Sequence, residues 1–129
     1  MRPNEISYNI IGAAMRVHTD LGPGLLEGAY EKALCHEFTR SRLHFRRQVP
    51  MPIQYAGAHI SPAYRIDFIV EHVVVVEIKS VDSLLPVHRT QLLSYLRLSG
   101  LPLGLLLNFR VAHLRDGIAR LINASESDL

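Results

Sequence analysis

The chain has 129 residues, which suits one domain spanning 1–129 and is too short for two independent ones. An apolar share of 48% and a charged share of 20% are typical of a globular protein rather than a disordered one. The net charge of +2 does not by itself indicate a nucleic-acid binder, and no apolar run reaches the roughly 18 to 20 residues that cross a bilayer. Since the sequence shows a single cysteine and no secretory signal pattern, we expect a cytoplasmic protein that does not enter a membrane.

Helices are predicted in the first third of the chain. Apolar side chains recur at helical spacing over 5–20 and again over 25–42, each time forming one buried stripe. The Gly22-Pro23-Gly24 segment separates the two helices, because proline disfavours helix at the residue before it and glycine admits conformations closed to others. A period-two pattern over 45–55 then predicts a strand, whose two prolines favour a sheet edge or a β-bulge.

Two more strands are predicted at 64–70 and 73–79, close enough in sequence to form a hairpin. The second begins with four consecutive valines, which is typical of a central strand covered on both faces. Pro86 opens a third helix that ends at about Ser99. The buried strand predicted at 103–109 then follows through a right-handed crossover, parallel to the previous strand.

The end of the chain shows a weaker pattern. Residues 114–122 predict a short strand pair that turns at Asp116-Gly117, a common hairpin sequence. The order of elements is therefore helix, helix, three strands, helix, strand and a tail. This order predicts an α/β fold with a mixed central sheet flanked by helices.

Charged residues follow the buried valines of the third predicted strand. Glu77 and Lys79 share one face of that strand, and Asp67 lies on the strand before it. Carboxylate oxygens from Asp67 and Glu77, with the backbone carbonyl of Ile78, would suit Mg²⁺, and Lys79 would then orient or deprotonate a water or offset charge on a phosphate. The alternative is that Glu77 and Lys79 are solvated where the strand leaves the core, and that Asp67 is an ordinary hairpin residue.

The register of the hairpin offers a test of that site. A two-residue turn at Glu71-His72 would place Asp67 opposite Val76, on the wrong face from Glu77. A shared site therefore requires a loop with an odd number of residues, such as 71–73, or a β-bulge that shifts the register by one.

Further polar residues border the predicted core. Glu27 lies beside the buried face of the second helix, where it is either another metal ligand or an acid that stabilises the first helical turn. On the third helix His88, Gln91 and Tyr95 form a polar strip. That strip either hydrogen-bonds phosphate oxygens and positions a water or is the exposed flank of an amphipathic helix.

Other chemistries fit the sequence poorly. One cysteine rules out a cysteine-rich zinc cluster, the histidines lack HExxH spacing, and the Gly22-Pro23-Gly24 segment has neither the lysine nor the preceding strand of a P-loop. Arginines cluster between the second helix and the first strand, where they either bind phosphate or solvate a loop: Arg40, Arg42, Arg46 and Arg47.

These residues resemble the GxxExxY family, a group of small bacterial proteins within the PD-(D/E)XK nuclease superfamily. The family's signature is matched by Gly24-Leu25-Leu26-Glu27-Gly28-Ala29-Tyr30. Further blocks extend the resemblance over nearly the whole chain: Val17-His18, Gln48-Val49-Pro50, Arg65-Ile66-Asp67, Val76-Glu77-Ile78-Lys79, His88, Gln91-Leu92-Leu93-Ser94-Tyr95-Leu96 and Leu105-Leu106-Leu107-Asn108-Phe109. The residue before Asp67 is isoleucine rather than the proline of the superfamily's name.

The resemblance implies a PD-(D/E)XK, restriction-endonuclease-like core. It implies that Asp67, Glu77 and Lys79 form the catalytic and metal-binding set, that Glu27 is the acid of the first core helix, and that Gln91 and Tyr95 are the polar pair of exonuclease-like branches. The leading hypothesis is a nuclease that uses Mg²⁺ or Mn²⁺ to hydrolyse phosphodiester bonds in nucleic acid, with DNA as the expected substrate. The alternatives are a catalytically silent binding or regulatory module, or a protein that binds a nucleotide or RNA. Formation of a homodimer is compatible with either class.

Overall fold

The computed structural model describes the whole chain except the side chains of Pro62 and Ala63. The helices and strands follow nearly the order that the sequence predicts: α1 Pro3–Leu21, α2 Glu27–Arg40, β1 Phe45–Tyr55, β2 Ala58–Val70, β3 Val74–Lys79, α3 Pro86–Ser99, β4 Leu103–Asn108 and β5 Ile118–Ile122. Short 3₁₀ turns occupy Leu114–Gly117 and Glu126–Asp128. No helix in the described part of the chain is both long and apolar enough to span a membrane.

The strands form one mixed sheet in the order β1-β2-β3-β4-β5. Neighbouring strands are antiparallel except β3 and β4. These two strands run parallel and are connected in sequence through α3. The predicted hairpin and the parallel pair joined through a helix are both confirmed. The prolines of β1 predicted an edge or a β-bulge. β1 lies at an edge of the sheet, and its register with β2 also shifts between Met51 and Ile53.

The central strand explains the run of valines. Val74 and Val76 pack into a core shared with α1 and α2, whereas Val75 packs on the opposite face against Leu92 and Leu96 of α3. All three valines are fully buried. The sheet is therefore covered on both faces, which confirms the predicted α/β class and the central position of β3.

The starts of α2 and β2 differ from the predicted ones, and α2 also ends at Arg40 rather than at 42. α2 begins at Glu27 rather than at 25, because Leu25 and Leu26 belong to the extended loop that leaves Gly22. β2 begins at Ala58 rather than at 64, and pairs with β1 through a tight turn at Ala56 and Gly57, both with positive φ. Residues 58–63 contain one large apolar residue, Ile60, and a proline, so they show only a weak strand pattern.

The predicted strand pair in the tail is also wrong. Leu114–Gly117 form a 3₁₀ turn, and a single strand, β5, then pairs antiparallel to β4. Gly117 does not adopt the positive φ of a hairpin turn. Instead, a side chain there would overlap the backbone carbonyl of Asn108, so the glycine is required by the close approach of two backbone segments.

Candidate active site

The loop between β2 and β3 has the odd length that a shared site requires. It contains three residues, 71–73, and Val70 pairs with Val74 across it. The amide of Val73 donates to the carbonyl of Val70 at 3.0 Å, which closes the turn. Counting along the strands from these pairs places Asp67 opposite Glu77.

Asp67 and Glu77 meet where β2 and β3 move apart. The backbone pairing between the two strands ends one residue earlier, at Phe68 and Val76. Beyond it, the amide of Asp67 donates to Oε1 of Glu77 at 3.1 Å, and the amide of Ile78 donates to Oδ2 of Asp67 at 2.8 Å. The two carboxylates thus accept from backbone groups that the separating strands leave without a ladder partner.

A small cleft opens on the α2 side of this junction. It has a volume of about 190 Å³, and its lining is mostly polar: Glu27, Gly28, Glu31, Gln48, Asp67 and Ile78. Gln48 of β1 donates through Nε2 to Oδ1 of Asp67 at 3.3 Å and also to Oε1 of Glu31. Arg47 pairs with the other oxygen of Glu31 at 3.2 Å.

Glu31 and Gln48 were not among the residues predicted for the site. Glu31 follows Glu27 by four positions on α2, so the two acids share one helix face, and this spacing was the signal available in the sequence. Gln48 stands in the Gln48-Val49-Pro50 block of the family resemblance, but the contacts of its side chain depend on the packing of β1 against α2.

Glu27 is positioned by the loop ahead of it. The hydroxyl of Tyr30 donates to the carbonyl of Gly22 at 2.6 Å and accepts from the amide of Leu25 at 3.0 Å. Ser80, which follows β3, donates to the carbonyl of Leu25 at 2.7 Å. Glu27 both begins α2 and lines the cleft, so its two proposed roles are compatible.

Burial and crowding of negative charge set the electrostatics of the site. Glu77 is only 7% exposed, and its burial, reinforced by the charge of Asp67 and partly offset by Lys79, raises its pKa to about 8. Burial likewise raises the pKa of Asp67, and the charges of Glu31 and Glu27 add to that rise. With no cation bound, Glu77 is therefore mainly protonated at neutral pH.

Lys79 lies at the end of β3, two residues beyond Glu77 and opposite Asn108 of β4. Its side chain is half-buried and forms no ion pair with any described side chain. Its ammonium group is close enough to Glu77 to lower the pKa of that carboxyl. The structure thus leaves the lysine free to act on a group that enters the site.

The three residues of the α3 strip lie in different surroundings. Tyr95 is buried, lies 4.6 Å from Tyr64 between ring centres, and has its pKa raised to about 12 by burial and by the charge of Glu77. His88 instead accepts a hydrogen bond from the amide of Leu85 at 2.9 Å and so caps the helix. Gln91 is exposed. The structure brings Tyr95 close to Glu77, whereas His88 serves the helix itself.

The donor set suits a hard divalent cation. Four carboxylates lie around the junction, and burial together with neighbouring negative charge raises the pKa of both Asp67 and Glu77. Oxygen donors of this kind are the ligands that Mg²⁺ and Mn²⁺ prefer. Among the described side chains, however, no three His, Cys, Asp or Glu residues are already arranged to hold a metal ion.

Comparison with known proteins identifies the family of the chain. A family model described as the PD-(D/E)XK nuclease superfamily matches residues 4–121, a span that includes every residue of the cleft. Neither the curated proteins nor the solved structures contain a significant match to the chain. The family match covers far more than half of the sequence, and on that ground the chain belongs to the PD-(D/E)XK nuclease superfamily.

Proposed function

We propose that the protein is a nuclease of the GxxExxY branch that hydrolyses phosphodiester bonds in nucleic acid with the help of Mg²⁺ or Mn²⁺. DNA is the substrate we expect, and the cytoplasm is the expected location. The single observation that carries the proposal is the meeting of Asp67 and Glu77 at the open end of the β2–β3 hairpin, with Lys79 two residues further along β3.

The acidic side chains would bind the cation. Asp67 and Glu77, with the backbone carbonyl of Ile78, would hold the cation, and Glu27 would complete the site directly or through a water. A cation held there would polarise a phosphate oxygen and make a bound water more acidic. Glu77 must release its proton to act as a ligand, because only the carboxylate binds a metal ion.

Lys79 and the α3 strip would act on the reacting groups. The Lys79 ammonium would orient or, after losing a proton, deprotonate the attacking water, or it would offset negative charge on the phosphate. Tyr95, from its buried position near Glu77, and Gln91, one helical turn earlier, would donate hydrogen bonds to phosphate oxygens or position the water.

Calorimetric titration with Mn²⁺ tests the proposed metal site. We expect the wild type to bind Mn²⁺ and Asp67→Ala to lose that binding, with cleavage of mixed single- and double-stranded DNA lost in the same samples. If the folded wild type binds no Mn²⁺, the metal-dependent mechanism is wrong and a silent binding module becomes the better hypothesis.

Substitution of the lysine tests catalysis separately from metal binding. Lys79→Ala should reduce cleavage at least about a hundredfold while leaving the melting temperature and the Mn²⁺ affinity close to those of the wild type. The matched control is Lys32→Ala, since Lys32 is the other lysine of the chain and is exposed on α2. Full cleavage by the Lys79 variant would rule out the role assigned to that side chain.

A further inference from the structure

Gln48 adopts a backbone conformation that its residue type disfavours. Its φ is 51°, in the left-handed region, although it lies within β1 and carries a Cβ. Neighbouring residues of β1 pair with β2 on either side of it, Arg47 with Phe68 and Val49 with Ile66. Strain of this kind persists only where surrounding contacts fix it, and it is concentrated at functional sites.

Three hydrogen bonds hold Gln48: Arg65 donates to its backbone carbonyl at 3.4 Å, and its side-chain amide makes the other two. Nε2 donates to Oδ1 of Asp67 and to Oε1 of Glu31, so one amide nitrogen joins carboxylates from β2 and α2. The orientation of the amide follows from these partners, since only the NH₂ group can donate to two carboxylate oxygens. No side chain in the described part of the chain donates to Oε1 of Gln48.

The side-chain amide of Gln48 lies between two carboxylates, where a cation would also be stabilised. Glu31 and Asp67 are close enough for the charge of Glu31 to affect the carboxyl of Asp67. The Gln48 amide hydrogens are shared by the two carboxylates, beside Arg47 on Glu31 and the Ile78 amide on Asp67. A divalent ion bound by Asp67 would compete for the same carboxylate oxygen. Rotation about the last side-chain torsion exchanges NH₂ for oxygen at the same place, and an amide oxygen is a good ligand for a hard cation.

We propose that Gln48 is a residue of the metal site: its NH₂ group holds Glu31 and Asp67 together in the metal-free protein, and its oxygen turns to the cation when the metal binds. This inference rests on the proposed metal-dependent function. It extends the metal site to β1 and Glu31, beyond the residues predicted from the sequence. It also accounts for the left-handed backbone, since the strand is fixed in that conformation by a side chain with two successive roles.

Replacing the amide by an apolar chain of similar length provides the first test. We expect Gln48→Met to bind Mn²⁺ about tenfold more weakly than the wild type by calorimetry, and to melt at a lower temperature in a chelator. The matched control is Gln54→Met, on the same strand, whose amide contacts only the exposed His59. This control should leave both measurements unchanged.

The sign of the change in Mn²⁺ affinity separates the proposal from a purely structural role. If Gln48 only braces the two carboxylates, its removal frees Asp67, and Gln48→Met binds Mn²⁺ as tightly as the wild type or more tightly. That result would overturn the proposal while leaving the metal-dependent nuclease intact. Failure of the wild type to bind Mn²⁺ would overturn both.

A second variant keeps the test valid if the methionine protein does not fold. Gln48→Glu retains the length and the potential ligand oxygen but places a third negative charge beside Glu31 and Asp67. We expect a lower melting temperature than the wild type in a chelator, Mn²⁺ binding about tenfold tighter, and a larger rise in melting temperature on adding Mn²⁺. Unchanged Mn²⁺ affinity in this variant would contradict a ligand role for position 48.

Discussion

Replacing Glu77 by glutamine should stabilise the metal-free protein and abolish its function. The side chain is 7% exposed and has a pKa of about 8, compared with 4.5 for an unperturbed glutamate. Because the folded-state pKa lies above the unfolded one, the folded protein keeps a proton that the unfolded chain has already released. The free energy of unfolding therefore falls as the pH rises through the interval between these two values, and it is lowest above the folded-state value.

The separation of the two pKa values sets the size of the effect. At about 1.4 kcal/mol for each pH unit, this separation corresponds to a loss of at most about 5 kcal/mol in the free energy of unfolding. Relaxation of the site and entry of water reduce the cost of ionising the buried Glu77. We therefore expect Glu77→Gln to raise the free energy of unfolding by about 3 kcal/mol at about pH 9. For a chain of this length that gain raises the melting temperature by about 10 °C.

Thermal unfolding in a chelator at a series of pH values measures this gain. The wild type should lose stability between about pH 5 and pH 8, whereas Glu77→Gln should lose much less and should bind no Mn²⁺. The matched control is Glu126→Gln, at an exposed glutamate in the tail, which should follow the wild type. Wild-type stability that stays constant between about pH 5 and pH 8 would contradict this prediction. A Glu77 variant no more stable than the wild type at about pH 9 would contradict it as well.

Two further substitutions test the supports of the site. Tyr30→Phe removes both hydrogen bonds to the loop ahead of Glu27, so we expect a loss of about 1–2 kcal/mol in urea unfolding and weaker Mn²⁺ binding; unchanged stability would contradict the role of the hydroxyl. Gly117→Ala should cost about 2–3 kcal/mol, because its Cβ meets the Asn108 carbonyl, whereas Gly12→Ala in α1 meets no close neighbour and should be neutral or stabilising. Equal stabilities of the two alanine variants would show that the backbone at Gly117 can move.

The sequence predicted best those elements whose signals are local. α3 was placed at its observed bounds, Pro86–Ser99, because a proline at the first turn and a glycine after the last mark both ends. β3 was predicted as central because a strand buried on both faces has no polar face to alternate with the apolar one. Periodicity and end signals of this kind depend on a few neighbouring residues, which can be recognised without knowledge of the rest of the fold.

Some features that depend on contacts between distant segments were not predicted. The glycine at 117 was predicted as part of a turn, but the structure requires a glycine there because a Cβ would overlap the backbone carbonyl of Asn108, nine residues earlier. Glu31 and Gln48 join the cleft only because α2 and β1 lie side by side there. Local patterns cannot report such proximity, because the same residues in another packing would be ordinary surface groups.

The site itself arises from a separation of strands rather than from any single loop. β2 pairs with β1 along most of its length, and β3 pairs with β4 from Val74 to Lys79, yet β2 and β3 pair with each other over only three residues. Each strand thus has a full backbone partner on its outer side, and the sheet can open between them without leaving many amides unpaired. The three-residue loop fixes the register at the closed end, so Asp67 and Glu77 are the first opposed residues at the open end. A loop one residue shorter would place Asp67 opposite Val76, which explains why the length of this loop is a condition for the site and not an incidental feature of the hairpin.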